Sequence, residues 1–199
     1  VTDFDPADAN PAGPDGTRRA IRRICVFCGS TPGRRAEYQT LAEELGTRLA
    51  TDGFGLVYGG AHVGTMGAVS GAALARGGEV IGVIPQSLVD REVARHDVTE
   101  LHVVDTMHER KALMNQLSDA FIVLAGGLGT FEELFEVATW SHLGLQSKPV
   151  VLLDRSGYFD PLVTMLDHAL AEGFLKPASR ALIQYATDVD QALKLVSSR

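Results

Sequence analysis

The stretch Gly126-Gly127-Leu128-Gly129-Thr130-Phe131-Glu132-Glu133 puts three glycines, a hydroxyl and two carboxylates into one short turn. It follows an apolar run, Asp119 to Ala125, that reads as a buried strand, and it precedes Phe131 to His142, which reads as a helix. Glycine lets the backbone turn tightly and lets a ligand approach the main chain. A helix start adds unpaired N–H groups and partial positive charge, so the turn suits an anion such as a phosphate. Chemistry is then expected beside Glu133. A plainer reading of Thr130-x-x-Glu133 is a capping box, in which the threonine caps the helix and the glutamate reaches back. The glycines are more numerous than a cap requires. Glu133 is expected in the first helical turn, where the helix N-terminus favours its ionised form. An ionised glutamate suits a base, or a group that stabilises positive charge.

Upstream, Met107-His108-Glu109-Arg110-Lys111 opens another helix. Arginine offers a planar fork for phosphate or carboxylate, and lysine a mobile point charge. Cations are disfavoured at a helix start unless something anionic lies near, so a purely solvated role for this pair is disfavoured.

The elements that must position these residues alternate between strand and helix. Strands are expected at Arg22 to Cys28, Gly55 to Tyr58, Glu79 to Pro85, Glu100 to Val104, Asp119 to Ala125 and Lys148 to Asp154. Helices are expected at Tyr38 to Ala50, Ala68 to Arg76, Met107 to Ser118, Phe131 to His142, Tyr158 to Glu172, Pro177 to Tyr185 and Asp188 to Ser197, with Gln86 to Thr99 a polar connection. Short β-branched strands alternating with helices imply α/β architecture: a doubly wound, mainly parallel, Rossmann-like sheet with helices on both faces. Loops rich in Gly, Ser or Thr at 29–33, 59–67 and 126–130 all follow strand ends, the edge where open α/β sheets bind ligands. The first turn, Gly29-Ser30-Thr31-Pro32-Gly33, lacks the dinucleotide G-x-G-x-x-G pattern, and no P-loop signature is present.

The chain has 199 residues, 45% hydrophobic and 22% charged, enough for one domain with a core. Residues 1–20 are expected to form a disordered tail, and 21–199 a single nucleotide-binding catalytic domain. A net charge of −7 argues against nucleic-acid polymers, and no apolar run reaches the length of a membrane span. No metal site is expected: Cys25 and Cys28 lack a second Cys or His pair, and they fall within a strand. They read as small buried apolar residues in a reducing cytoplasm.

The glycine turn, together with Met107-x-x-Arg110-Lys111 placed 23 residues before Glu133 when counted from Arg110, resembles the Lonely Guy family of cytokinin riboside 5'-monophosphate phosphoribohydrolases. Its pattern is P-G-G-x-G-T-x-x-E after an arginine–lysine pair. Further matches run from Cys28-Gly29-Ser30 through Val57-Tyr58-Gly59-Gly60 and Ile84-Pro85 to Ser118-Asp119-Ala120-Phe121, Glu136 to Trp140 and Gly173-Phe174. This chain departs from the pattern at Ala125, where the family has proline, and at Leu128, where tyrosine is common. The resemblance implies hydrolysis of the N-glycosidic bond of a cytokinin riboside monophosphate or AMP, with no cofactor. It implies Arg110 and Glu133 as the catalytic pair. Gly127 to Thr130 would hold the phosphate, with Lys111 nearby. Substrate contacts are further implied at Ser30, Gly59, Gly60, Glu92, Met107, Gly126, Phe131, Glu132 and Thr139. It also implies a homodimer with sites near the interface, from which the Thr139 contact can come. The alternatives left open are a non-catalytic nucleotide or cofactor carrier and a lysine decarboxylase using pyridoxal phosphate on Lys111.

Overall fold

The computed structural model describes residues 21–91 and 93–198. The expected tail, residues 1–20, and Glu92 lie outside the described residues. Seven strands form one sheet: β1 (Arg23–Phe27), β2 (Gly55–Tyr58), β3 (Val80–Pro85), β4 (Glu100–Val104), β5 (Ala120–Val123), β6 (Val150–Leu153) and β7 (Ile183–Ala186). Their order is β4-β3-β2-β1-β5-β6-β7, and every neighbouring pair is parallel. The helices are α1 (Ala36–Thr51), α2 (Gly64–Ala75), α3 (Gln86–Val89), α4 (Met107–Leu117), α5 (Leu128–His142), α6 (Asp160–Ala171), α7 (Pro177–Arg180) and α8 (Val189–Ser197). The doubly wound α/β sandwich is therefore present. After building outward from β1 to β4, the chain returns to β5 on β1's other side. That reversal opens a crevice at the carboxyl ends of β1 and β5, the usual ligand position in such sheets.

Side chains alternate across the sheet, so each strand feeds two cores. Ile24 and Val26 of β1 join α1, α2 and α8, whereas Cys25 and Phe27 join the α4–α5 side, with α6 packed against it. Phe27 stacks on Phe121 of β5 with ring centroids 5.5 Å apart, an aromatic pair beneath the crevice. Such pairs add about 0.5–1.5 kcal/mol beyond area burial. Cys28, just past β1, falls on the face opposite Cys25, so the two thiols cannot share a ligand or a disulfide. Burial pushes the Cys28 thiol up to about 12 and Cys25 well above its ordinary range, leaving both protonated.

Three elements depart from the sequence expectation by more than two residues. The segment expected as one helix from Pro177 to Tyr185 is a single turn, α7, followed by edge strand β7. Arg180 makes that change of direction, donating from Nε to Asp167 and from Nη1 to the Ile183 carbonyl. Helix α2 starts at Gly64 and α5 at Leu128, each three or four residues earlier than expected. The polar 86–99 connection contains α3 and a short antiparallel bridge, Ala94 to Ala61, laid along the second glycine loop.

α1 and α2 pack through Gly46, where a Cβ would overlap the Val69 carbonyl oxygen and press on the Ala72 methyl. The main chain of α2 cannot recede without disturbing the glycine loop that precedes it. Gly46→Ala is expected to cost about 1–3 kcal/mol as an overpacked contact, read as a lower urea midpoint with an unchanged slope.

Candidate active site

All three glycine-bearing loops meet at the carboxyl edge of the sheet. The first and second are tied by Thr65, buried in the first turn of α2. Its hydroxyl accepts from the Gly29 N–H at 2.9 Å and donates to the Gly29 carbonyl at 3.1 Å. Gly64 permits this approach: its φ is +58°, and a Cβ there would overlap the Ser30–Thr31 peptide. The third loop is anchored by Tyr158, whose hydroxyl donates to the Gly126 carbonyl while its ring stacks on Phe131 at 6.4 Å. Arg95 fastens the 93–97 segment over the second loop. Its main-chain N–H donates to Gly60 O at 2.8 Å, and its guanidinium reaches Gly67 O at 3.1 Å and pairs with Asp97 at 2.9 Å.

Helix α5 begins with Gly127 as its cap residue and no side-chain cap. Thr130 is thus inside the helix rather than capping it, and Glu133 belongs to the second turn. The capping box expected at Thr130 and Glu133 is not formed. One of that kind occurs at α4 instead: Thr106 accepts from the Glu109 N–H at 3.1 Å, and Glu109 accepts from the Asp105 N–H at 3.0 Å. The helix start therefore carries no side-chain cap at Gly127, and its first N–H groups lie at the carboxyl edge of the sheet.

Arg110 and Glu133 meet at 3.1 Å between Nη1 and Oε1, with residue exposures of only 7% and 5%. The guanidinium is held from several sides. Its Nε donates to Val83 O at 3.1 Å and its Nη2 to Gly59 O at 3.5 Å, and the Met107 sulfur lies 4.0 Å from Nη1. Gly59 must be glycine here, because a Cβ would overlap Nη2 of Arg110. Burial pushes the Glu133 carboxyl up to about 7, against the lowering pull of Arg110. The expectation that the helix N-terminus keeps Glu133 ionised is therefore corrected: desolvation outweighs it.

Lys111 lies on the same turn but ends elsewhere, its ammonium paired with Glu132 and, at 2.9 Å, with Glu136. Gly60 and Thr130 are buried at the cleft, Ser30 and Gly127 lie exposed on its loops, and Gly129 and Met107 are exposed in the first turns of α5 and α4. Leu128 is 88% exposed at the start of α5. Thr139 is exposed about 9 Å further along that helix from Glu133. A separate cavity of about 720 Å³ opens at the amino edge, lined by residues including Arg23, Glu79 and Asp119. Three of the charges there are engaged: Arg23 pairs with Glu79 at 2.7 Å, and Asp119 accepts the Arg22 and Arg23 main-chain N–H groups. Sequence reasoning missed Thr65, Arg95 and Tyr158. A threonine flanked by glycines at a helix start could have marked the first, but Tyr158 is remote in sequence from the loop it ties.

A family model described as "Possible lysine decarboxylase" matches residues 66–196. A cytokinin riboside 5'-monophosphate phosphoribohydrolase of Rhodococcoides fascians is 51% identical over 182 residues, 91% of this chain and 92% of the relative. Its Oryza sativa counterpart is also 51% identical, over 90% of this chain and 75% of the relative. One from Arabidopsis thaliana is 47% identical, over 90% and 84%. Among solved structures, the molybdenum cofactor binding protein of Rippkaea orientalis superposes with a TM-score of 0.69 at 24% identity, covering 89% of this chain and 96% of that one. The molybdenum cofactor carrier protein of Chlamydomonas reinhardtii does so with 0.65 at 23%, covering 90% and 99%, and both likenesses concern the fold. Identity near one half, kept over about nine-tenths of the chain, makes this protein a member of the cytokinin riboside 5'-monophosphate phosphoribohydrolase family, the Lonely Guy family that its glycine turn resembles.

Proposed function

We propose that the protein hydrolyses the N-glycosidic bond of a nucleoside 5'-monophosphate, AMP or a cytokinin riboside monophosphate, releasing free base and ribose 5-phosphate. The observation that carries this reading is the buried Arg110–Glu133 pair beside an uncapped helix start. The N–H groups at 127–130 receive the 5'-phosphate. That anchors the ribose with its anomeric carbon toward Glu133. Departure of the base builds positive charge on the sugar, as in an oxocarbenium-like transition state. Ionised Glu133 stabilises that charge and orients or deprotonates the attacking water. Arg110 fixes the carboxylate's direction through its planar fork. Exposed Ser30, Met107 and Leu128, with buried Gly59 and Gly60, are assigned to the walls that take the nucleoside.

The decarboxylase label does not fit the residues. Pyridoxal phosphate chemistry needs a lysine amine free to form a Schiff base. Burial acts to lower the Lys111 pKa, but Glu132 and Glu136 more than offset this and raise it, keeping the ammonium charged. A carrier on the same fold would bind nucleotide and release no base, so product analysis separates the two readings.

We also propose a cytoplasmic homodimer. Among the described residues no helix is long and apolar enough to cross a membrane. Leu128, Phe135 and Leu143 form an exposed apolar stripe along α5, 88%, 43% and 62% accessible, with Thr139 on the same side. A second copy seated there covers the stripe and brings Thr139 toward a site.

Light scattering is expected to give the dimer mass, and Phe135→Glu to shift it toward the monomer. Incubation with AMP or isopentenyladenosine monophosphate is expected to yield free base, and Glu133→Gln to lower kcat by roughly 10²–10⁴-fold. Because the Glu133 carboxyl is raised to about 7 and acts ionised, kcat/KM is expected to rise about tenfold per pH unit below 7 and level off above it. A flat profile from pH 5 to 7 contradicts the assigned role.

A further inference from the structure

Helix α4 meets α5 through two consecutive cations and three carboxylates. Arg110 takes Glu133, and Lys111 takes Glu132 and Glu136. Glu132 and Glu136 are four residues apart, so they project from one side of α5 and bracket the turn that carries Glu133. The Lys111 side chain is almost wholly buried between them, with an exposure of 7%.

This arrangement conflicts with a phosphate-binding lysine. One ammonium shared by two carboxylates leaves a local charge of about −1. A phosphate dianion approaching that group meets net repulsion. Lys111 would have to break two short charge-assisted hydrogen bonds and leave both carboxylates behind. The uncapped N–H groups of α5 offer the phosphate a site without that cost.

We propose that Lys111 is a positioning residue: by gripping Glu132 and Glu136 it locks the α5 turn so that Glu133 faces Arg110, and it is not a ligand of the phosphate. The proposal rests on the hydrolase reading above. It assigns the two neighbouring cations different tasks, Arg110 holding the reactive carboxylate itself and Lys111 holding the backbone on which it sits.

The test uses the full chain as Lys111→Met, as the paired variant Glu132→Gln with Glu136→Gln, and as the triple variant. Steady-state kinetics with AMP and calorimetric binding of ribose 5-phosphate are measured on each. A misplacement of about 1 Å can cost up to 10²-fold in rate, so kcat is expected to fall roughly 10- to 100-fold in both Lys111→Met and the paired variant. The triple variant is expected to be no worse than the worse of the two, because all three groups act as one unit. The ribose 5-phosphate Kd is expected to stay within about twofold of wild type throughout. A tenfold or larger loss of ribose 5-phosphate affinity in Lys111→Met overturns the proposal. So does a lowered melting temperature with unchanged kcat, which marks a merely structural tether. If Lys111→Met does not fold, the paired variant decides: reduced kcat with unchanged Kd supports the proposal, and unchanged kcat overturns it. Wild-type protein that neither frees base nor binds ribose 5-phosphate overturns the hydrolase reading itself. Wild type that does both, with binding lost only in Lys111→Met, overturns this inference alone.

Discussion

A carboxylate and a guanidinium held 3.1 Å apart and almost out of water are the constraint around which the molecule is built. Removing two charges from water costs several kcal/mol per ion, which their attraction offsets only in good geometry. The partners bear this cost unequally. Arg110 is met by the Val83 and Gly59 carbonyls, which take up two of its N–H donors. Glu133 responds through its pKa, which burial lifts to about 7. The site therefore holds a carboxyl able to change protonation state near neutrality, next to a guanidinium.

Much of the surrounding structure keeps that pair in place. The Gly59 carbonyl reaches Arg110 only because residue 59 has no side chain. The second loop is pinned from below by Thr65 on Gly29 and from above by the 93–97 segment through Arg95. The third loop is fixed by Tyr158, itself packed edge-on to Phe159 and Tyr38. These ties come from four different loops and helices, all brought to one edge by the reversal between β1 and β5. An open parallel sheet achieves this because every strand delivers its following loop to the same side.

The sheet was legible because six of its strands are short β-branched runs, each flanked by a helical pattern. Strand β7 was hidden: Ile183-Gln184-Tyr185-Ala186 is broken by a polar residue where the other four-residue strands are continuously apolar, and it follows residues that favour a helix. The Arg110–Glu133 pairing was legible only through the family resemblance, since the two lie on different helices and nothing local joins them. Errors about Glu133 share one cause. Local rules see the nearest threonine as a cap and the helix start as a positive field worth about 0.3–1 kcal/mol. They do not see that Gly127 caps without a side chain, or that the sheet edge and α4 close over the carboxyl. For Lys111, the sequence displays a cation beside an arginine, whereas its partners are set by how α4 and α5 pack.

The fold does not choose between holding a phosphorylated ligand and cleaving it. A molybdenum cofactor binding protein and a molybdenum cofactor carrier protein superpose on this chain with TM-scores of 0.69 and 0.65 at 24% and 23% identity, so the frame tolerates very different side chains. A helix start at the carboxyl edge offers an anion main-chain N–H groups whatever the side chains around it. Cleavage asks for something the main chain cannot provide: a side-chain charge kept from water and aimed at one carbon. On the proposed reading that requirement falls on Glu133, and the residues around it are explicable as its supports. Gly59 makes room for the arginine, Val83 orients it, and Glu132 and Glu136 tie the helix through Lys111. A binder has no need to bury an ion pair, because a carboxylate near a phosphate weakens the grip. Its presence beside the proposed phosphate cradle therefore favours the hydrolase reading over storage.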